Sequence, residues 1–137
     1  SAYLTGAADV AEWVFVSEPV EAGDVLAVDV ANPMKYRRAA GLLSAFVAGV
    51  VSTAPAVVLG GAGTPGQALL ALVGIVPVKV TNEGGAIQPG DLLVSASTPG
   101  YAMRWAGPEA CDCPLVGKAL EPMMGERGVI LVLLASH

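Results

Sequence analysis

The segments VEAGDVLAV (residues 20–28) and IQPGDLLVS (residues 87–95) are two versions of one short sequence. In each, a Gly-Asp pair precedes apolar residues that alternate with the period of a β-strand. Glycine adopts a positive φ without steric cost, and an aspartate carboxylate accepts hydrogen bonds from the backbone N–H groups of a turn. We therefore predict that Gly23, Asp24, Gly90 and Asp91 form equivalent structural turns. The alternative, paired carboxylates for acid–base or metal chemistry, lacks partner residues in the sequence.

The similarity continues downstream of both segments. YRRA (36–39) corresponds to YAMR (101–104), and VAGVVS (47–52) corresponds to LVGKAL (115–120). The offset between the copies is 67 residues from Gly23 to Gly90 and 68 residues from Gly49 to Gly117. A nearly constant offset indicates internal duplication. We predict repeats at about 13–59 and 76–134 that pack with pseudo-two-fold symmetry into a barrel or sandwich.

The same patterns predict a single all-β domain over residues 13–137, preceded by a lead-in segment over residues 1–12. Glycine and proline are too frequent for long helices, and a weak helical period at 39–48 is less convincing than a strand. The predicted strands cover residues 13–16, 25–30, 35–39, 45–52, 56–59, 68–81, 91–96, 101–105, 115–120 and 129–134.

Residues 40–78 contain no Asp, Glu, Lys or Arg, in a chain that is 54% hydrophobic and 14% charged. Typical soluble domains carry about 25% charged residues. Repeated glycine and proline interrupt the span, so we expect buried strands and no membrane insertion. Some of this apolar surface is expected to be covered by other copies in a homo-oligomer of three. Candidate interface residues are Tyr36, Arg37, Arg38, Phe46, Tyr101 and Trp105.

Charge and cysteine content narrow the choice of partners and cofactors. The net charge is −5, and the bases form only one small cluster, so we expect no nucleic-acid partner. The acids near the start of the chain form a solvated edge or meet Arg37 and Arg38 of a neighbouring subunit. Cys111 and Cys113 are too few for a disulfide framework or a zinc site. We predict two loop thiols and no metal or cofactor.

The sequence lacks the motifs of common enzyme classes. The single histidine, His137, is a poor candidate for the base of a nucleophile relay. If a precursor were cleaved before Ser1, the Ser1 hydroxyl would be the attacking group of an N–O shift. A carbohydrate could stack on Trp13, Tyr36, Tyr101 or Trp105, but Tyr36 and Tyr101 occupy matching repeat positions, which favours packing. We therefore expect a protein that is not an enzyme.

Several further segments carry a family resemblance: ADVAEW (8–13), VPVKV (76–80), STPGYAM (97–103) and GKALEP (117–122). Together with the segments above, they resemble the C-terminal domain of phage tail-fibre-like and bacterial surface proteins. The chain is also similar to the peptidase G2 family, which is linked to autoproteolytic chaperone regions of phage tailspikes. The resemblance implies a domain that follows trimeric, β-rich stems on a virion tail, a cell surface or another extracellular structure. It transfers no catalytic residue.

Together these observations predict a structural module that oligomerises and caps a fibre or surface protein. Two alternatives stay open. The first is an autoproteolytic domain for tail-fibre maturation, and the second is an adhesin head that binds surface glycans.

Overall fold

The computed structural model describes residues 9–42, 46–52, 57–59 and 65–135, and these residues form an all-β structure. Its one short 3₁₀ helix spans Asn82–Gly84. The all-β class with little helix is therefore confirmed. The ten strands of the described residues are β1 Asp9–Val16, β2 Val25–Val28, β3 Lys35–Arg38, β4 Val47–Val51, β5 Val57–Leu59, β6 Gln67–Thr81, β7 Leu92–Ser95, β8 Ala102–Arg104, β9 Leu115–Ala119 and β10 Arg127–Leu134.

One sequence-based boundary differs from the structure. Strand β1 begins at Asp9, inside the predicted lead-in segment, because Asp9–Val16 pairs along its length with β6. The weak helical candidate at 39–48 is not helical where the structure describes it, since Val47 and Ala48 belong to β4. Residues 1–8 and 43–45 lie outside the described residues.

Strand β6 is fifteen residues long and belongs to two closed rings of strands. In the first ring the order is β1-β3-β2-β4-β6, and β6 pairs back onto β1. In the second ring the order is β6-β8-β7-β9-β10, and β10 pairs back onto β6. We call the first ring the N-barrel and the second the C-barrel. Strand β5 pairs in parallel with residues 10–12 of β1.

The two barrels are built alike, down to the same irregularity in the same strand pair. Strand β2 shifts register against β4 between Leu26 and Ala27, and β7 shifts against β9 between Leu93 and Val94. Each parallel contact also recurs, β1 with β3 and β6 with β8. The first unit reaches into β6, beyond the predicted repeat end at residue 59, because the first half of β6 closes its ring.

The pairing of β2 with β3 and of β7 with β8 corrects one residue match that the sequence repeat predicted. Val28 pairs with Tyr36, and the matching residue Ser95 pairs with Ala102. Tyr36 therefore corresponds to Ala102, not to Tyr101. A one-residue shift moves a side chain to the other face of a strand, so the two tyrosines have different surroundings.

Two clusters of buried apolar side chains fill the structure. The smaller one contains Val14, Leu26, Val51, Ala68 and Leu70, all from the N-barrel. The larger one fills the C-barrel and extends across the junction, because it also includes N-barrel residues such as Ala11, Val25 and Ala71. The two barrels therefore share one continuous core and form a single packed unit.

Gly49 and Gly117 occupy equivalent sites of close backbone approach. A Cβ atom on Gly49 would collide with the carbonyl oxygen of Ala71 on β6, and one on Gly117 would collide with that of Leu133 on β10. Both positions are β-bulge neighbours, where glycine commonly marks tight contact between strands. The absent side chain lets the fourth strand of each barrel lie against the closing strand.

We predict that Gly49→Ala and Gly117→Ala each lower the free energy of unfolding by about 1–3 kcal/mol, because the methyl group forces the paired strands apart. Gly125→Ala is the matched control, since a Cβ atom there meets nothing within 4 Å. Guanidinium denaturation at constant m-value measures the difference. If both core variants match the control, the close approach has no energetic role.

Candidate self-association surface

Four of the six predicted interface residues lie near one another on the N-barrel. Arg37, Arg38 and Phe46 line a cavity of about 250 Å³. Tyr36 lines a neighbouring cavity of about 370 Å³, and Val28 borders both. Arg38 forms a salt bridge of 3.1 Å with Glu18. Burial raises the pKa of Glu18, but hydrogen bonding to Arg38 outweighs it and leaves that pKa below the ordinary value.

The other two predicted residues, Tyr101 and Trp105, belong to the C-barrel and make intramolecular contacts. The Tyr101 ring has the Lys79 ammonium 5.6 Å from its centroid and the Arg127 guanidinium at 5.2 Å. The Trp105 indole donates a hydrogen bond of 3.0 Å to the carbonyl oxygen of Cys111. These two aromatic side chains therefore make their contacts within the subunit.

Cys111 and Cys113 lie in the loop that accepts the Trp105 hydrogen bond, and the structure differs from the prediction made for them. Cys111 and Cys113 are joined in a disulfide, with their Cα atoms 5.3 Å apart. The prediction of two loop thiols is therefore wrong. The chain folds back at Asp112 and brings the two sulfur atoms together, which the C-x-C spacing alone did not indicate.

A hydrogen-bonded turn joins β2 and β3. The buried Asp29 carboxylate accepts bonds from the Ser17 hydroxyl at 2.5 Å, the Asn32 amide at 2.9 Å and the Ala31 N–H at 3.0 Å. These bonds, led by that of Ser17, hold the pKa of Asp29 below its ordinary value. Met34, at the end of the turn, has a φ of 69°, the only positive φ among the described non-glycine residues. The turn therefore has a fixed and strained shape.

This turn displays large apolar side chains to solvent. Met34 is 88% exposed and Val30 is 74% exposed. Phe15, Val28 and Phe46 are exposed beside them and line the same two cavities. We call these five residues the hairpin patch. Two exposed bases flank it, Lys35 and Arg37.

A second apolar surface lies on the outside of the C-barrel, where β6 and β10 pair. Leu133 lies opposite Ile75, and Leu131 lies opposite Pro77. Val129 is 61% exposed and Leu133 is 44% exposed. We define the outer face as Ile75, Pro77, Val129, Leu131 and Leu133.

The outer face departs from the usual pattern of an antiparallel sheet. Such sheets commonly carry polar residues on a solvated side and apolar residues on the core side. In β10 the alternate residues Ile130, Val132 and Leu134 are buried in the core, yet the outward residues are apolar as well. A strand that is apolar on both sides is typical of a strand covered on both sides.

A groove opens at one end of the outer face. Ala22, Gly23 and Val51 of the N-barrel join Pro77 and Val129 to enclose an apolar cavity of about 210 Å³. The groove lies at the junction of the two barrels, where the chain enters β2.

A buried ion pair holds this junction together. The Lys79 backbone N–H donates a bond of 3.0 Å to the Gly23 carbonyl oxygen, and the Lys79 ammonium lies 2.8 Å from the Asp24 carboxylate and also binds Glu21. Burial lowers the pKa of Lys79, but the two carboxylates outweigh it and raise that pKa above its ordinary value. The position of Lys79 on the shared strand was not visible from the sequence, so sequence reasoning did not select it.

The two Gly-Asp turns have the same internal geometry but different surroundings. The Asp24 carboxylate accepts a bond of 2.8 Å from the Glu21 N–H, and Asp91 accepts one of 2.8 Å from the Gln88 N–H. Asp24 is 1% exposed and pairs with Lys79. Asp91 is partly exposed, with Arg104 at 3.6 Å. The turn at Asp24 is thus part of the junction between the barrels, whereas the turn at Asp91 lies near the surface.

Glu83 fixes the loop that joins β7 to β8. Its carboxylate accepts hydrogen bonds from the N–H and hydroxyl groups of Ser97 and of Thr98, at 2.5–3.1 Å. Burial raises the pKa of Glu83, but these four bonds outweigh it and lower the pKa from 4.5 to about 2. The same loop carries Gly100, whose carbonyl oxygen accepts the Val25 N–H at 2.8 Å. Glu83 therefore supports a contact between the barrels.

We predict that Glu83→Gln lowers the free energy of unfolding at pH 7 by about 1 kcal/mol, a figure reduced for the exposure of the side chain. A depressed folded pKa stabilises the fold above the unfolded pKa, and that stabilisation is lost as pH falls from about 4.5 to about 2. The difference between wild type and variant should therefore disappear near pH 2. Denaturant unfolding at several pH values measures it, with the exposed Glu109→Gln as control. An equal difference at every pH would contradict the role of the carboxylate.

We also searched the described residues for a metal site, a membrane-spanning helix and the residues considered for self-cleavage. Within the described ranges, no three His, Cys, Asp or Glu side chains group closely enough to hold a metal ion. No helix in the part of the chain that the structure describes is long and apolar enough to span a membrane. Ser1 and His137, considered for self-cleavage, lie outside the described residues.

The sequence matches no protein-family model and no curated protein, so the resemblance to peptidase G2 stays a prediction. Two solved structures share the fold. The bacteriophage phi29 gene product 12 C-terminal fragment superposes with a TM-score of 0.67 at 16% identity, covering 93% of this chain and all of the fragment. The pre-mature form of the same phage protein superposes with a TM-score of 0.69 at 15% identity, covering 96% of this chain but 22% of that protein.

Proposed function

We propose that this chain is an oligomerisation and capping domain of a phage fibre or a related surface appendage. Its role is physical: copies associate through apolar side chains and hold the ends of a longer assembly in register. The site of action is the virion tail or another extracellular structure. The proposal includes no catalytic step.

The outer face of β6 and β10 is the observation that carries this proposal. Five apolar side chains lie side by side on a rigid sheet, with Lys79, directly opposite Val129, at one end of the face. Contiguous exposed apolar surface of this kind marks protein interaction sites. Because these strands also close the C-barrel, the face is preorganised and loses little conformational entropy on association.

The fold shared with the phage protein supports the proposed location in a phage fibre or a related appendage. The chain covers the whole of a piece described as a C-terminal fragment and about a fifth of the pre-mature protein that contains it. The same architecture thus forms a terminal unit of a much longer phage protein. We infer that this chain plays the corresponding part, at the end of a longer polypeptide.

The size of the outer face bears on how copies meet. A stable interface buries about 800 Å² per partner and involves about 20–30 residues on each side. Five side chains supply the centre of such an interface and not its whole area. Other exposed apolar residues, the hairpin patch among them, are available to complete it.

We predict that the double variant Val129→Asp/Leu133→Asp weakens self-association at least 100-fold, because two carboxylates would be buried in an apolar interface. Light scattering and sedimentation at micromolar concentration measure the mass of wild type and variant. Circular dichroism checks that the β-structure is retained.

Met124→Asp is the matched control. Met124 is 67% exposed, close to the 61% of Val129, but it lies in the loop between β9 and β10 and is not one of the five residues of the outer face. The control should keep the wild-type mass. A monomeric wild type, or a folded double variant of unchanged mass, would refute the proposed function.

A further inference from the structure

We infer that copies of this chain associate head to tail, with the hairpin patch of one copy seated in the groove beside Val129 of the next. This inference rests on the proposed function and adds the identity of the two contacting surfaces. The occupant of the groove is the turn between β2 and β3 of a second copy, with Met34 at its centre.

The turn has the properties of a preformed anchor. Asp29 and its three hydrogen-bond donors fix its shape in the free subunit, so little is left to be ordered on binding. Met34 holds a left-handed backbone conformation that residues with a side chain rarely adopt. That conformation directs an 88% exposed methionine away from its own subunit. Methionine adapts its shape to irregular apolar sites.

The groove matches this anchor in size and polarity. Ala22, Gly23, Val51, Pro77 and Val129 line it, and none carries a charge or a side-chain hydrogen-bonding group. Its volume is about 210 Å³. The four heavy atoms of a methionine side chain fit within that space.

Charged side chains that can pair with each other lie beside the two surfaces. Lys35 and Arg37 are exposed beside the hairpin patch, and neither forms a salt bridge among the described residues. Beside the groove, Lys79 pairs with Glu21 and Asp24, and Arg38 lies close to the same two carboxylates. The Glu21 side chain is 74% exposed and so remains accessible to a second cation. This complementarity sets the orientation of two copies.

The positions of the two surfaces exclude their meeting within one subunit. The groove lies where the chain enters β2, and the hairpin patch begins where β2 ends. One copy therefore offers an anchor at one end of the N-barrel and a groove at the other. Contacts between unlike surfaces are heterologous, and they build a ring when the rotation closes and a filament when it does not.

Complementation between two defective variants tests this arrangement. Met34→Asp removes the anchor and keeps the groove, while Val129→Asp damages the groove and keeps the anchor. Each variant alone should be monomeric at the concentration where wild type is assembled. Mixed together, they should form a one-to-one dimer through the remaining intact pair.

The assay uses affinity-tagged Met34→Asp to retain untagged protein, with mass measured by light scattering. We expect at least tenfold more untagged Val129→Asp to be retained than untagged Met34→Asp. Val30→Asp, on the same turn, replaces Met34→Asp if the latter does not fold, and Met124→Asp is the surface control.

The outcomes separate this inference from the proposed function. If Met34→Asp and Val30→Asp keep the wild-type mass, or if the mixture stays monomeric, the head-to-tail contact is wrong. Self-association through the outer face then still stands, provided that Val129→Asp/Leu133→Asp dissociates. If wild type is monomeric, both proposals fail. Retention of a glycan or another protein in place of the second copy would also overturn this inference.

Discussion

Strand β6 is the constraint on which the rest of the structure depends. Its first half closes the N-barrel against β1 and β4, and its second half closes the C-barrel against β8 and β10. A strand hydrogen-bonded on both edges and packed along fifteen residues cannot shift without breaking both rings. The two barrels are therefore coupled through one backbone, and Lys79, on this strand, adds the ion pair that holds the β2 entry turn against it.

Ring closure also determines how copies of this chain can associate. A closed barrel removes the free strand edges through which open sheets add strands from other chains. Apart from β5, the strands of the two rings use both edges within the subunit. For the strands of the two rings, only outward-pointing side chains are left for contact with a second copy, so the chemistry of the outer face and the hairpin patch bears directly on the proposal. The proposed contact is thus a consequence of the fold as well as of surface composition.

The two halves of the chain share a strand arrangement but differ in their side chains. In the C-barrel the position that corresponds to Tyr36 is the buried Ala102, which belongs to the larger apolar cluster. In the N-barrel Tyr36 is only partly buried, beside a cavity and the exposed side chain of Met34. The two barrels therefore share a strand arrangement but differ at this position. The C-barrel has a small buried residue there, and the N-barrel presents an apolar turn to solvent at the same end.

The sequence by itself determined the features that depend on neighbours along the chain. Period-two apolar patterning located nearly every strand, and the chemistry of glycine and aspartate located the turns at Asp24 and Asp91, because both act over a few residues. Only the tertiary structure decided which strand pairs with which, and so the equivalence of Tyr36 with Ala102, the disulfide of Cys111 and the pairing of Lys79 with Asp24. These features join residues far apart or depend on a register that shifts at bulges, and no local pattern encodes them.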